Sequence, residues 1–240
     1  MVTSARPEVA PGDAIGERAS GREQQVELAV FLFLIVPTLL LSFAHGGQTH
    51  LSFPLLAISV IARDLALVTL VIFFLWRNRE PLQRIGWAFH RYGREVALGI
   101  LLYVPIQLSA MGLELALRRM GLSAPAHLPA ELQPSGAAEV MLALLLVLVV
   151  AVSEETIFRG YLLLRLKTWT RSAPAVVVGS SLIFAIGHGY EGSAGVVTVG
   201  VLGAAFALVY LWRRSLVAAV TLHFLVDFAG IVLLPVLQHA

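Results

Sequence analysis

Residues 137–166 read AAEVMLALLLVLVVAVSEETIFRGYLLLRL. Nothing in this stretch alternates with the period of two that a half-buried strand requires, and it exceeds the ~20 apolar residues that cross a bilayer as a helix. Its second half nevertheless carries Glu154, Glu155 and Arg159. Ionisable groups inside membrane helices are expensive to bury, so they line cavities, relays or reaction sites. The stretch therefore decides both the fold class, a membrane helix, and where to look for chemistry.

The rest of the chain agrees with that class. Hydrophobic residues make up 58% of the sequence and charged residues 13%, and the mean hydropathy is +0.83, well outside the range of soluble domains. Apolar runs recur at 26–44, 54–76, 95–117, 137–166, 173–188, 194–212 and 216–237. They predict an all-α, multi-pass transmembrane helical bundle of about seven spans in one domain, 26–240. Residues 1–25, rich in Pro, Gly and mixed charge, read as a disordered cytoplasmic tail. Arg clusters at 77–94, 165–171 and 213–214 fall in alternate connections and so on one side, with Arg118 and Arg119 the exception on the other, which predicts a cytoplasmic amino terminus in a cell membrane. The preference for Arg over Lys points to a bacterial plasma or inner membrane. No basic stripe with interleaved aromatics occurs, so nucleic acid is not an expected partner. The absence of Cys excludes disulfides, thiolate metal sites and a Cys nucleophile. Oligomeric state is not legible.

Three polar groups stand on successive apolar runs. Glu155 and Arg159 are four apart and share a helix face, so they are natural ion-pair partners; Glu154, turned by about 100°, points elsewhere and is the candidate chemical group. The bland alternative is a structural network of all three. His223 and Asp227 are also four apart, as two metal ligands or as a carboxylate orienting a His. His188 lies between Gly187 and Gly189, where the backbone can approach a neighbour closely; a lone His at a span end is otherwise an interfacial residue. Phe184, four residues earlier, packs beside it. Counted from the basic ends of their runs, these groups lie at depths spread over roughly 12 Å at 1.5 Å per residue, which places His188 outside the site unless its helix is tilted or starts deeper. Arg63 and Asp64, adjacent in the second run, are expected each to pair with another helix and Glu114 to be structural, with a lining of the substrate cavity as the alternative for all three.

Taken together, Glu154-Glu155-x-x-x-Arg159, Phe184-x-x-x-His188 and His223-x-x-x-Asp227 resemble the CPBP family of intramembrane proteases, which includes the type II CAAX prenyl proteases and the bacterial abortive-infection and bacteriocin-immunity homologues. The resemblance spans about 137–235. It implies an intramembrane endopeptidase in which Glu154 activates water, His188, His223 and Asp227 complete the catalytic site, and Glu155, Arg159 and Phe184 support it. Many members have Asn where this chain has Asp227. The implied substrate is a peptide or lipid-anchored protein met in membrane lipid, with CAAX-type prenylated proteins among the candidates. No cofactor is required in the glutamate reading, whereas a divalent metal such as zinc would be held by His188, His223 and Asp227. A proton- or ion-coupled transporter using the same residues as a relay, and an inactive immunity-like membrane protein, are the rival readings.

Overall fold

The computed structural model describes residues 21–43, 52–88, 91–125 and 129–239. Most of the expected tail, residues 1–20, lies outside them. The described residues form seven helical segments. They are α1 (Gly21–Leu40), α2 (Phe53–Arg77), α3 (Tyr92–Arg119), α4 (Gly136–Leu166), α5 (Ala173–Ile186), α6 (Gly192–Arg213) and α7, which starts as Val217–Asp227 and continues to His239. Among the described residues there is no strand. The multi-pass helical bundle is borne out.

Local chemistry marks several ends. At the start of α5 the Ser172 hydroxyl accepts the Ala175 N–H at 3.3 Å, and Pro174 sits in the first turn, where its missing N–H costs nothing. Pro54 does the same at the start of α2. Gly121, at φ 91°, follows the end of α3.

Six of these segments are long and apolar enough to cross a membrane. The exception is α5, whose 14 residues give about 21 Å at 1.5 Å per residue, short of a ~30 Å hydrocarbon layer. The expected seventh span is thus a short helix. It starts at Ala173 and stops at Gly187, because the backbone turns at the Gly187-His188-Gly189 segment and re-enters as α6. Large apolar side chains such as Phe33, Leu101 and Trp212 face outward at 77, 72 and 64% exposure, as a lipid-facing surface requires and an aqueous one forbids.

The helices pack α2 on α4, α5 on α6, and α3 on both α6 and α7. Phe31 and Ile35 of α1 join Phe74 and Leu75 of α2 around Tyr161 of α4, with the Tyr161 ring 5.2 Å from Phe31 and 6.1 Å from Phe74. The closest helix contact is at Gly99 on α3. A methyl group there would lie 2.6 Å from Thr221 Cβ and 2.8 Å from the Ala218 carbonyl oxygen. Between membrane helices, where lipid is as apolar as Leu, such close approach supplies the packing energy. Gly99→Ala should therefore push α3 off α7 and destabilise the fold by about 1–3 kcal/mol, read as a lowered unfolding midpoint in detergent; an unchanged midpoint would show that the α3–α7 contact contributes nothing.

Candidate active site

The site grows from an irregularity in α4. The helix is α-helical from Gly136 to Glu154 and then winds as a π-helix from Glu155 to Leu162 before closing with Leu163–Leu166. Such π segments are rare and occur most often at functional sites. Within it Glu155 and Arg159 are fully buried, at 0 and 1% exposure, and Arg159 Nη1 donates to Glu155 Oε1 at 2.9 Å. The guanidinium stacks 4.2 Å over the Phe184 ring and 5.3 Å from that of Phe206, and its Nη2 donates to the Gly203 carbonyl at 3.3 Å. The expected ion pair is present, and Phe184 holds it as much as it holds a His.

Glu155 has a second partner that the spacing did not indicate. The same Oε1 accepts from His223 Nδ1 at 2.8 Å. On the opposite side of that ring, Nε2 lies 3.4 Å from Asp227 Oδ2 and 3.8 Å from Glu154 Oε2. Adjacent helix positions were expected to exclude a common target. The imidazole defeats that expectation because its two nitrogens face opposite ways, so Glu155 takes one and Glu154 faces the other. Nε2 and two carboxylates share this small space, and the arrangement is attractive only with a proton on Nε2 or on one of the carboxylates. Glu154 Oε2 is buried and lacks a hydrogen-bond partner among the described residues, which is an acceptor available to water.

His188 joins the same region. Its ring stands 4.8 Å from that of Phe184, which is 5.9 Å from that of His223, and both His side chains line one cavity of about 150 Å³ together with Asp227. Because α5 is short, its carboxyl end reaches the level of His223, which removes the 12 Å mismatch in depth. His188 Nδ1 donates to the Phe184 carbonyl at 3.1 Å; a carbonyl can only accept, so Nδ1 carries a proton, and in the neutral ring Nε2 keeps its lone pair.

Gln107 and Glu114 of α3, Glu191, and Thr198 of α6 also line this cavity. Cavity lining is the alternative reading of Glu114 in the sequence, and the other three carry no site reading there. A signal existed for α3, since the lining residues Gln107, Ala110, Met111 and Glu114 fall at i, i+3, i+4 and i+7, one helical face. A second cavity of only about 10 Å³ joins Glu154 to Arg63 and Asp64. Those two do not pair with other helices as expected. The flexible Arg63 side chain folds back on its neighbour, with Nε donating to Asp64 Oδ1 at 2.9 Å, which leaves Asp64 Oδ2 buried without a partner.

Among the described residues no three His, Asp or Glu side chains are grouped as metal ligands. Nδ1 of each His is engaged by a carbonyl or a carboxylate, so Nε2 is the nitrogen each would offer to a metal.

Two adjacent carboxylates on a π-wound membrane helix, with two His and an Asp brought to them from two further segments, define a polar centre enclosed in a helical membrane protein. Residues 136–229, the part that carries it, match the family model described as type II CAAX prenyl endopeptidase, Rce1-like. The resemblance seen in the three motifs is thereby supported over that segment. No curated protein and no solved structure matches the chain.

The buried Glu155–Arg159 pair yields a stability prediction. Arg159→Ala leaves a carboxylate buried with only an imidazole for company, and should cost about 3–5 kcal/mol; the double variant Glu155→Gln, Arg159→Met should recover a large part of it. Equal losses in single and double variants, measured by unfolding in mixed detergent, would show that the pair is not coupled.

Proposed function

We propose that the protein is an intramembrane endopeptidase in which Glu154 activates the attacking water. The observation that carries this reading is the convergence on His223 Nε2 of Glu154 and Asp227, beside a cavity that His188 also lines. Peptide hydrolysis needs a base for water, a donor for the tetrahedral oxyanion and a proton for the departing amine. In this reading Glu154 Oε2 takes a proton from water as the hydroxide oxygen bonds to the scissile carbonyl carbon. His188 Nε2, with its lone pair free, accepts the other hydrogen of that water and orients it. A proton carried at His223 Nε2 or on the Asp227 carboxyl faces the developing oxyanion. When the C–N bond breaks, the proton on Glu154 passes to the amine nitrogen.

Glu155 and Arg159 are positioning residues here, because Glu155 fixes the His223 ring through Nδ1 and Arg159 fixes Glu155. Asp227 replaces the Asn common in the resembling proteins, and donates to an oxyanion only while protonated. No step passes through a metal. The substrate class we propose is a peptide segment of a membrane-associated protein, with prenylated proteins among the candidates because the matching family is described as prenyl endopeptidase.

Glu154→Gln keeps the shape of the side chain and removes the base. It should lower cleavage of a quenched fluorescent peptide library by at least about 10²–10⁴-fold in detergent-purified protein with an unchanged unfolding midpoint; retained turnover would remove Glu154 from the mechanism. Activity should also survive exhaustive chelation. Activity lost on chelation and restored by Zn²⁺ would replace the glutamate mechanism by a metal one. Absence of cleavage by the unaltered protein, together with substrate-dependent proton flux in liposomes, would assign the same residues to a transporter.

A further inference from the structure

The polar groups of the 150 Å³ cavity are mainly acceptors. Apart from the two His rings, they are the carboxylates of Glu114, Glu191 and Asp227, the Gln107 amide and the Thr198 hydroxyl, and among the described residues no Lys or Arg lines it. Glu114 takes Arg118 through Oε1 alone. Thr198, only 6% exposed, has a buried hydroxyl with no hydrogen-bond partner, and the buried Gln107 Oε1 has none either. Buried oxygens left without donors at membrane depth are costly, and native structures leave few of them. What would satisfy this wall is a group that carries positive charge and several N–H donors.

The remaining lining is apolar. Met111, Val199, Leu202 and Phe206 form a sleeve beside the oxygens. A long basic side chain matches both halves, because its methylene stem packs on apolar surface while its charged head seeks acceptors. The volume also fits, since an apolar cavity of about 150 Å³ in a protein core takes up a molecule the size of benzene. The cavity is continuous with His188, His223 and Asp227, so its occupant lies next to the proposed reaction centre.

We infer that this cavity is a specificity subsite for a basic residue, Lys or Arg, of the substrate, close to the scissile bond. The inference rests on the peptidase reading for the word substrate, and on the cavity for the word basic. Glu191 and Thr198 are specificity residues in it and take no part in the bond-breaking steps.

The test is a panel of otherwise identical peptides carrying Lys, norleucine or Glu at each of three positions on either side of the cleaved bond. At one position Lys should exceed norleucine in kcat/KM by about tenfold or more, the worth of a charge-assisted hydrogen bond, and Glu should fall below both. Glu191→Gln and Thr198→Val should each bring Lys toward norleucine while leaving the norleucine peptide unaffected. Cleavage with equal rates for Lys and norleucine at every position would overturn the subsite and leave the peptidase intact. A parallel measurement uses binding of the Lys and norleucine peptides to the Glu154→Gln protein, read as a shift in thermal midpoint. Preferential binding of the Lys peptide, lost in a Glu191→Gln background, with no cleavage by the unaltered protein, would keep the cation subsite and sink the peptidase. Neither cleavage nor preferential binding would sink both.

Discussion

One carboxylate oxygen, Glu155 Oε1, accepts from Arg159 and from His223 at once, at 2.9 and 2.8 Å. Taking a carboxylate and a guanidinium out of water is expensive, and only good geometry with further hydrogen bonds offsets it. Here four helices take part: α4 gives both charges, α7 gives the imidazole, and α5 and α6 give the Phe184 and Phe206 rings and the Gly203 carbonyl around the guanidinium. The same bond that anchors the pair fixes the ring orientation of His223, so the face that Nε2 shows to Glu154 and Asp227 follows from it. Packing requirements reach as far as Gly203, where a methyl group would stand 3.0 Å from Phe184 and 3.2 Å from Arg159 Nη2. A structural ion pair and the candidate reactive centre are therefore one object in this protein.

The part of the chain outside the family-matched segment is tied to the centre by a second polar network. Glu27 of α1 accepts from Arg77 and Asn78, and Glu80 accepts from Arg84 and from the wholly buried Arg165 at the end of α4. Between them, Trp87 Nε1 donates to Thr156 Oγ1 at 3.1 Å, and Ile85 packs against Gly160, where a Cβ would be 3.0 Å from its carbonyl. The segment 80–87 thus lies along the π-wound part of α4 on the side away from His223. It braces the backbone from which Glu154 and Glu155 project.

Helical periodicity made much of this legible. The membrane class, the bundle and the spacing-four pairs Glu155–Arg159 and His223–Asp227 follow from runs of apolar residues interrupted by a few charges, because the cost of a charge in lipid makes each one informative. What was not legible depends on distances that spacing cannot give. The Glu155–His223 bond joins residues 68 apart. The true length of α5 turned on a Gly-His-Gly turn that an apolar-run count reads as more helix. Arg63 and Asp64 were placed correctly in a span but given the wrong partners, since the 100° between neighbours describes where Cβ points and not where a long guanidinium ends. Thr198 gave no signal at all, for a hydroxyl in an apolar helix ordinarily bonds its own backbone.

The π winding of 155–162 also sets a rule for how this chain can vary. Thr156, Gly160 and Arg165 all meet the 80–87 segment, yet on an ordinary α-helix Thr156 and Arg165, nine residues apart, would point about 180° from one another. They share a side only because i→i+5 bonding turns the chain less per residue. The helix therefore carries slack of about one residue between its carboxylates and its outer tie. Rewinding 156–162 as α at full length would carry Arg165 away from Glu80, although every side chain named in the reaction would still be present, whereas loss of one residue would offset that rotation, because eight residues at about 100° each return the two to within about 80°. Sequence length in this stretch is as much a part of the centre as the identity of its acids.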